Sequence, residues 1–189
     1  KVTDMSWMFV ECSSFNQPLE KWNVSKVTNM SGMFASCSAF NQPLERWDVS
    51  QVTKMDGMFA VCSFFNQPLE KWDVSQVTDM KGMFHRCLSF NQPLEKWNVS
   101  KVTNMNGMFE DCFAFNQPLG SWKIKTAIGS LGRTAMSPSS YSATLVGWAA
   151  QTEIAENVHF IEYNNVSGLI YNNEGKTARE KLIAKGWSF

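Results

Sequence analysis

A strict 25-residue period limits what most of this chain can fold into. The pentapeptide Phe-Asn-Gln-Pro-Leu begins at residues 15, 40, 65, 90 and 115. The full unit reads V-T-x-M-x-G-M-F-x-x-C-x-x-F-N-Q-P-L-E-x-W-[DN]-V-S-x, with Trp7 replacing the glycine in the first copy and Gly120 replacing the glutamate in the last. Such a period indicates a repeat architecture, in which each unit buries its apolar side chains against its neighbours.

The apolar positions inside one unit predict a short helix followed by an extended segment. Four of them follow the i, i+3, i+4, i+7 spacing of one helical face: Met30, Met33, Phe34 and Cys37. The Phe-Asn-Gln-Pro-Leu and Trp-Asp-Val segments do not continue that helix, because proline lacks an amide donor and disfavours helical geometry in the residue before it. We therefore predict an α/β repeat solenoid, a leucine-rich-repeat-like right-handed coil with one short helix and one short strand per 25 residues.

Identical columns of residues predict structural ladders that run from unit to unit. The asparagine amides are expected to point inward and satisfy backbone groups of their own unit and the next, while the tryptophans supply apolar area. The predicted ladder residues are Asn16, Asn41, Asn66, Asn91 and Asn116; Cys12, Cys37, Cys62, Cys87 and Cys112; and Trp22, Trp47, Trp72, Trp97 and Trp122.

The five cysteines raise the alternatives of disulfides, metal ligands and buried free thiols. Metal sites need clustered ligands, whereas these thiols occur once per unit. Equivalent residues in neighbouring units have parallel side-chain vectors, which disfavours disulfides. We expect all five to be reduced, inaccessible thiols that act as small apolar side chains, with no metal and no cofactor.

Charge and motif content disfavour several classes of function. Lys+Arg and Asp+Glu each number 17, so the chain has no net basic charge for binding nucleic acid. No apolar run approaches the roughly 18 residues of a membrane span. The two histidines, His85 and His159, are accompanied by no phosphate loop and no G-x-S-x-G motif, so we predict that the chain is not an enzyme. Residues 1–5 fall within a repeat, which indicates a fragment.

The repeat motifs resemble a known family. From Met5 to Trp122, the patterns M-F-x-x-C-x-x-F-N-Q-P-L and W-[DN]-V-S-x-V-T-x-M are similar to the BspA-type leucine-rich repeat of microbial surface proteins. Residues 139–148, with the pattern Y-x-x-x-L-x-G-W, and residues 178–189 are similar to the terminal unit of such proteins. The resemblance implies an extracellular or cell-surface location and adhesion to host proteins or other cells. It implies no catalytic residues.

The chain is predicted to divide into a five-coil repeat region, residues 1–122 with the first coil incomplete, and a small α+β C-terminal cap, residues 123–189. In the cap we predict a helix from about Ser139 to Ala150, with Tyr141, Leu145 and Trp148 on one face. Short strands are predicted at 159–163 and 169–171. A second helix is predicted from about Asn173 to Lys185, with Ala178, Leu182 and Ile183 inward and Gly186 as its stop. The cap is expected to cover the last coil; the alternative is an independent ligand-binding domain.

The function predicted from the residues is recognition of a protein or glycan partner through exposed, variable columns of the repeats. These columns are 10/35/60/85/110, 11/36/61/86/111, 14/39/64/89/114 and 23/48/73/98. The candidate partner-binding residues, which depart most from their columns, are Phe64, His85, Arg86 and Phe113. The alternative is a structural spacer or stalk with no ligand of its own, which the near-identity of the repeats favours.

Overall fold

The computed structural model describes residues 1–126, 128–129, 131, 133–160 and 169–189. These residues form two α-helices, α1 (Pro138–Ala150) and α2 (Asn173–Ile183), and no β-strand. Five isolated parallel bridges are the β-pairing present in the described part of the chain. Both helices follow the repeats, which are numbered units 1 to 5 and begin at Val2, Val27, Val52, Val77 and Val102.

The predicted α/β repeat solenoid, with one short helix and one short strand per 25 residues, is wrong. All residues of the units from 1 to 126 are described, and none of them belongs to a helix or a strand. The leucine-rich-repeat and solenoid descriptions require a strand in every unit. Because residues 1–126 contain no strand, both descriptions are wrong.

The segment predicted as a helix is a series of tight turns. In unit 2, Met33 N donates to Met30 O (3.2 Å) and Cys37 N donates to Phe34 O (2.9 Å). Gly32 and Ser36 have φ angles of 59° and 62°, so left-handed backbone interrupts any right-handed helix twice within five residues. The apolar spacing that suggested a helical face is produced by successive turns.

Alternate backbone amides of these turns bond to the next unit. Gly32 N donates to Asp56 O (2.8 Å), and Phe34 N donates to Met58 O (2.9 Å). Only one residue per unit has bridge geometry, in the ladder Asp4, Asn29, Lys54, Asp79 and Asn104. The bonds between units thus satisfy backbone groups without a continuous strand.

The core is a run of aromatic side chains that crosses every unit. Phe34, Phe59, Phe84 and Phe109 form one stacked row with ring centroids 5.7 to 5.8 Å apart. A second row, of Phe40, Phe65, Phe90 and Phe115, packs beside it. All eight rings are fully buried. Each interior ring contacts a ring in the unit on either side, so the units depend on one another for burial.

Helix α1 packs directly on unit 5. Ser137 caps it by accepting from Ser140 N, and Pro138 occupies its first turn, where a missing amide donor has no cost. A Cβ on Gly147 would lie 2.5 Å from Gly120 Cα, so the two glycines allow the backbones to touch. This contact explains why the last unit has glycine where the others have glutamate.

The two helices predicted after residue 138 are confirmed within two residues at each end, but the α+β description of this region is wrong. His159 forms only an isolated bridge with Ser188, and the predicted strand at 169–171 is absent. The rest of the first predicted strand, 161–163, lies outside the described residues. Ala178 and Leu182 are buried as expected, whereas Ile183 is exposed.

Candidate functional site

The asparagine ladder links the units through side-chain carbonyl groups. Asn66 Oδ1 accepts from Asn91 N (2.9 Å) and from Gln92 Nε2 (2.9 Å). The same amide bond joins every neighbouring pair of the set Asn16, Asn41, Asn66, Asn91 and Asn116. Asn16 is exposed and the other four are half-buried, so the ladder lies at the edge of the core.

The tryptophan ladder repeats one indole hydrogen bond. Trp47 Nε1 donates to Leu19 O (3.0 Å), and the same bond to the preceding unit recurs at Trp72, Trp97 and Trp122. These four tryptophans are buried, whereas Trp22 in unit 1 is 39% exposed.

Four of the five repeat cysteines are buried thiols. Cys37, Cys62, Cys87 and Cys112 each donate from Sγ to a phenylalanine carbonyl oxygen of the preceding unit, at 2.8 to 2.9 Å. Burial raises the pKa of the Cys112 thiol to about 12, and it raises the pKa of Cys62 and Cys87 well above the ordinary value. The expectation that all five are inaccessible is wrong for Cys12, which is exposed because no unit lies before it in the structure.

Every cysteine of the repeats is free. Among the residues that the structure describes, no three His, Cys, Asp or Glu side chains are grouped closely enough to hold a metal ion.

Each unit presents one outer turn to solvent between its cysteine and the next phenylalanine, and both of these residues are buried in units 2 to 5. In unit 3, Phe65 N donates to Cys62 O (3.1 Å), which leaves residues 63 and 64 at the tip of the turn. Ser89 N donates to Ser63 O (3.1 Å) and joins this turn to the equivalent one in unit 4. The outer turns thus lie in a line along the surface, and those of units 1 to 4 are joined by such bonds.

Three large apolar side chains stand on this line. Phe64 is 65% exposed, Leu88 43% and Phe113 54%, and they are the exposed large hydrophobic residues of units 2 to 5, which are described throughout residues 27–126. The remaining residues at the two turn positions of the five units are small: Ser13, Ser14, Ser38, Ala39, Ser63, Ser89 and Ala114. The repeat symmetry therefore breaks toward exposed apolar area in units 3 to 5.

Two arginines flank the apolar side chains and share one carboxylate. Arg86 Nε lies 3.3 Å from Asp111 Oδ2, and Arg133 Nε lies 2.7 Å from Asp111 Oδ1. The Arg133 guanidinium carbon is 5.8 Å from the centre of the Phe113 ring, within cation–π range. Because Asp111 is nearly buried and both arginines are substantially exposed, the carboxylate holds the two guanidinium groups at the surface.

We call Phe64, Leu88, Phe113, Arg86 and Arg133 the turn strip. His85, the fourth sequence candidate, lies beside it, with Nδ1 3.6 Å from Glu110 Oε2. All four candidates therefore belong to the outer turns or to the residues leading into them.

Two residues of the turn strip, Leu88 and Arg133, were not among the predicted partner-binding residues. Leu88 replaces a serine of its column, so a scan of that column for departures would have found it. Arg133 lies outside the repeats, and only the fold brings it to Phe113.

The column of Arg86 has an unusual backbone conformation. Its members Glu11, Ser36, Val61, Arg86 and Asp111 all have φ between 56° and 62°. Non-glycine residues rarely adopt this left-handed region, and a β-branched residue such as Val61 is an outlier there. The variable side chains of this column are thus held on backbone that favours glycine.

These features define a tandem-repeat protein of interlocked 25-residue units with side-chain variation concentrated along one line of turns. Residues 1–74 and 44–148 match the family described as "Mycoplasma protein of unknown function, DUF285", and the chain belongs to that family. No curated protein and no solved structure matches the chain. No helix within the described ranges is both long and apolar enough to cross a membrane.

Proposed function

We propose that the protein is a recognition module whose turn strip binds a protein or glycan partner. The observation that carries this proposal is the exposure of Phe64, Leu88 and Phe113 in the outer turns, where the remaining seven residues are serine or alanine. Association would remove this apolar area from water, and aromatic and arginine side chains are frequent hot-spot residues.

The arginines add polar groups to the apolar area of the turn strip. Arg86 and Arg133 share a single carboxylate, so guanidinium donors remain to bond acceptor groups on a partner. A partner surface with apolar groups beside carboxylate, amide or hydroxyl oxygens fits this arrangement.

The proposed setting is a cell surface or the extracellular space, with adhesion as the process. Its support is the similarity of the M-F-x-x-C-x-x-F-N-Q-P-L motif to repeats of microbial surface proteins. The proposal includes no catalytic role, cofactor or nucleic-acid partner.

A structural spacer with no ligand is the second candidate. The uniform bonds between units favour it, because the asparagine and tryptophan contacts recur without change along the repeats. The turn strip is the feature that a spacer does not require.

Binding to a panel of purified host matrix proteins, cell-surface proteins and glycans separates the two functions. We expect the wild-type chain to bind one member and the Phe64→Ser/Phe113→Ser double variant to bind it at least about tenfold more weakly. Ile170→Ser is the matched control, because Ile170 is 69% exposed but lies outside the repeats. If no panel member binds, the spacer role replaces recognition. If a panel member binds both variants equally well, the chain recognises it through a surface other than the turn strip.

A further inference from the structure

The two guanidinium groups of the turn strip are anchored on one side and free on the other. Arg86 donates from Nε to Asp111 Oδ2 (3.3 Å), and Arg133 Nε lies 2.7 Å from Asp111 Oδ1. The Nη atoms of both arginines donate to no residue that the structure describes. Because the two side chains are 60% and 42% exposed, their terminal N–H groups are accessible to a partner.

The carboxylate between the arginines is held by the fold. Asp111 is 3% exposed and occupies the same column as Arg86 in the preceding unit, so the pair forms between units 4 and 5. The column holds Ser36 and Val61 in units 2 and 3, which have no charge to form such a pair. One buried carboxylate thus orients two guanidinium groups, and positive charge is left over.

Glu110, the next carboxylate in this part of the surface, is directed elsewhere. Its Oε2 lies 3.6 Å from His85 Nδ1, and the same atom would lie 3.1 Å from a Cβ on Gly107. No ion pair in the described part of the chain joins Glu110 to Arg86 or Arg133. An anionic group on a partner can therefore balance the excess positive charge of the arginines.

Apolar side chains stand beside these free N–H groups. The Phe113 ring lies 5.8 Å from the Arg133 guanidinium carbon, and Phe64 and Leu88 extend the apolar area into units 3 and 4. A partner that covers these side chains excludes water from the arginines. Exclusion of water lowers the local dielectric and strengthens a bond between a guanidinium group and a carboxylate.

We propose that the partner of the turn strip is an acidic polypeptide segment whose Asp or Glu side chains bind the Nη groups of Arg86 and Arg133. Its apolar side chains pack on Phe64, Leu88 and Phe113. This inference rests on the proposed function and adds the chemical class of the partner. A polypeptide fits better than an anionic glycan, because a glycan carries its charges on a hydroxyl-rich chain that buries little apolar area.

The test selects ligands for the immobilised full chain from a library of random short peptides displayed in several copies on phage, where multivalency retains weak binders. We expect the enriched peptides to carry Asp or Glu beside Leu, Phe or Trp more often than the unselected library does. Enrichment of basic or uncharged peptides, or no enrichment over an unrelated protein, would overturn the proposal.

Two single variants test whether the arginines hold the acidic groups. Arg86→Gln and Arg133→Gln should each weaken binding of a fluorescently labelled, enriched peptide at least about fivefold, measured by anisotropy. They are made singly, because each then leaves one arginine on Asp111. Arg46→Gln is the matched control, since Arg46 is exposed, pairs with Glu20 and lies outside the turn strip; binding should be unchanged.

A change in the peptide tests the same contacts without altering the protein. Replacing its Asp and Glu by Asn and Gln should also weaken binding to the wild-type chain at least about fivefold, because charge-assisted hydrogen bonds are stronger than neutral ones. Equal binding of the acidic and the amide peptide would show that the carboxylates are not recognised, even if an arginine variant failed to fold.

Two further measurements separate this proposal from the proposed function. If the selected peptides bind more weakly to Phe64→Ser/Phe113→Ser but equally to both arginine variants, the turn strip is the binding surface and only the acidic class is wrong. If none of these variants weakens binding, the turn strip itself is wrong. If a heparin oligosaccharide binds through Arg86 and Arg133 while no acidic peptide does, the anionic partner is a glycan and a polypeptide partner is wrong.

Discussion

At the scale of single residues, two columns of the repeats share a backbone with positive φ but differ in residue type. Gly32, Gly57, Gly82 and Gly107 fill one of them, as expected for left-handed backbone. The other column holds Glu11, Ser36, Val61, Arg86 and Asp111, whose side chains cost about 1 to 2 kcal/mol each in this conformation. The strain is retained where the side chains vary most, as is common at functional sites.

Val61→Gly tests this strain. Glycine removes the left-handed penalty but adds roughly 0.5 to 1 kcal/mol of backbone entropy to the unfolded chain, so we expect a net gain of up to about 1 kcal/mol in the free energy of unfolding. Urea denaturation measures it. Ala60→Gly is the matched control, because Ala60 is adjacent but lies outside the positive-φ residues, and it should destabilise. Equal losses in the two variants would mean that Val61 is not strained.

The buried thiols make stability depend on alkaline pH. Burial raises the pKa of Cys112 from its ordinary value of 9.0 to about 12, so the folded chain keeps a proton that the unfolded chain releases. The stabilising contribution is complete below pH 9 and is lost as pH rises toward 12.

We therefore expect the free energy of unfolding to fall between pH 9 and 12. Cys112→Ala should reduce the slope by about 1.4 kcal/mol per pH unit, the value for one proton, whatever its effect on stability at neutral pH. Cys12→Ala is the matched control, because it removes the exposed thiol of the same column. Urea denaturation across this pH range measures the slope for each variant. Identical slopes would contradict the raised pKa of the Cys112 thiol.

At the scale of elements, the sequence predicted the helices after residue 138 but misassigned the repeats. Ser137, Pro138 and Asn172 are capping residues whose effects are local, so α1 and α2 were predictable from short stretches. The spacing of Met30, Met33 and Phe34 suits a helix and a series of tight turns equally well. The amides that bond to the next unit decide between them, and those contacts are 24 residues apart.

The candidate site was predictable only in part. Phe64, His85, Arg86 and Phe113 were identifiable as departures from their columns, which only requires aligning the units. The backbone strain under Arg86 left no trace in residue type, because its column lacks glycine. The Arg133 contact to Phe113 depends on the path of the chain beyond the repeats.

The contact between α1 and unit 5 depends on two glycines. A Cβ on Gly147 would lie 2.5 to 2.6 Å from backbone atoms of Gly120, which no rotamer change relieves. Gly147→Ala should therefore push α1 away from unit 5 and lower the thermal midpoint, despite the higher helix propensity of alanine. Val146→Ala is the control, since Val146 is on the same helix and 39% exposed. A midpoint for Gly147→Ala at or above that of the control would show that α1 does not pack closely there.

At the scale of the whole molecule, the units and the C-terminal helices form one hydrophobic core. Phe109 packs 4.2 Å from Phe115, ring centre to ring centre, and Trp122 packs on Phe109 at 6.2 Å. Trp148 then continues the row of indole donors by bonding to Leu119 O. Residues 137–150 thereby form hydrogen bonds with unit 5 much as each unit does with its neighbour.

Deleting all residues after Trp122 should expose this end of the core. Phe115 and Trp122 are fully buried in the intact chain, and the truncated chain would present them, with Phe109, as a contiguous apolar patch. We expect aggregation or strong binding of an apolar dye, measured by size-exclusion chromatography and fluorescence. A truncation after Gln151, which keeps α1 and its bonds to Leu119 and Gly120, should aggregate less. If the shorter chain remained monomeric and folded, the C-terminal residues would be a separate domain, and its own ligand would become the question.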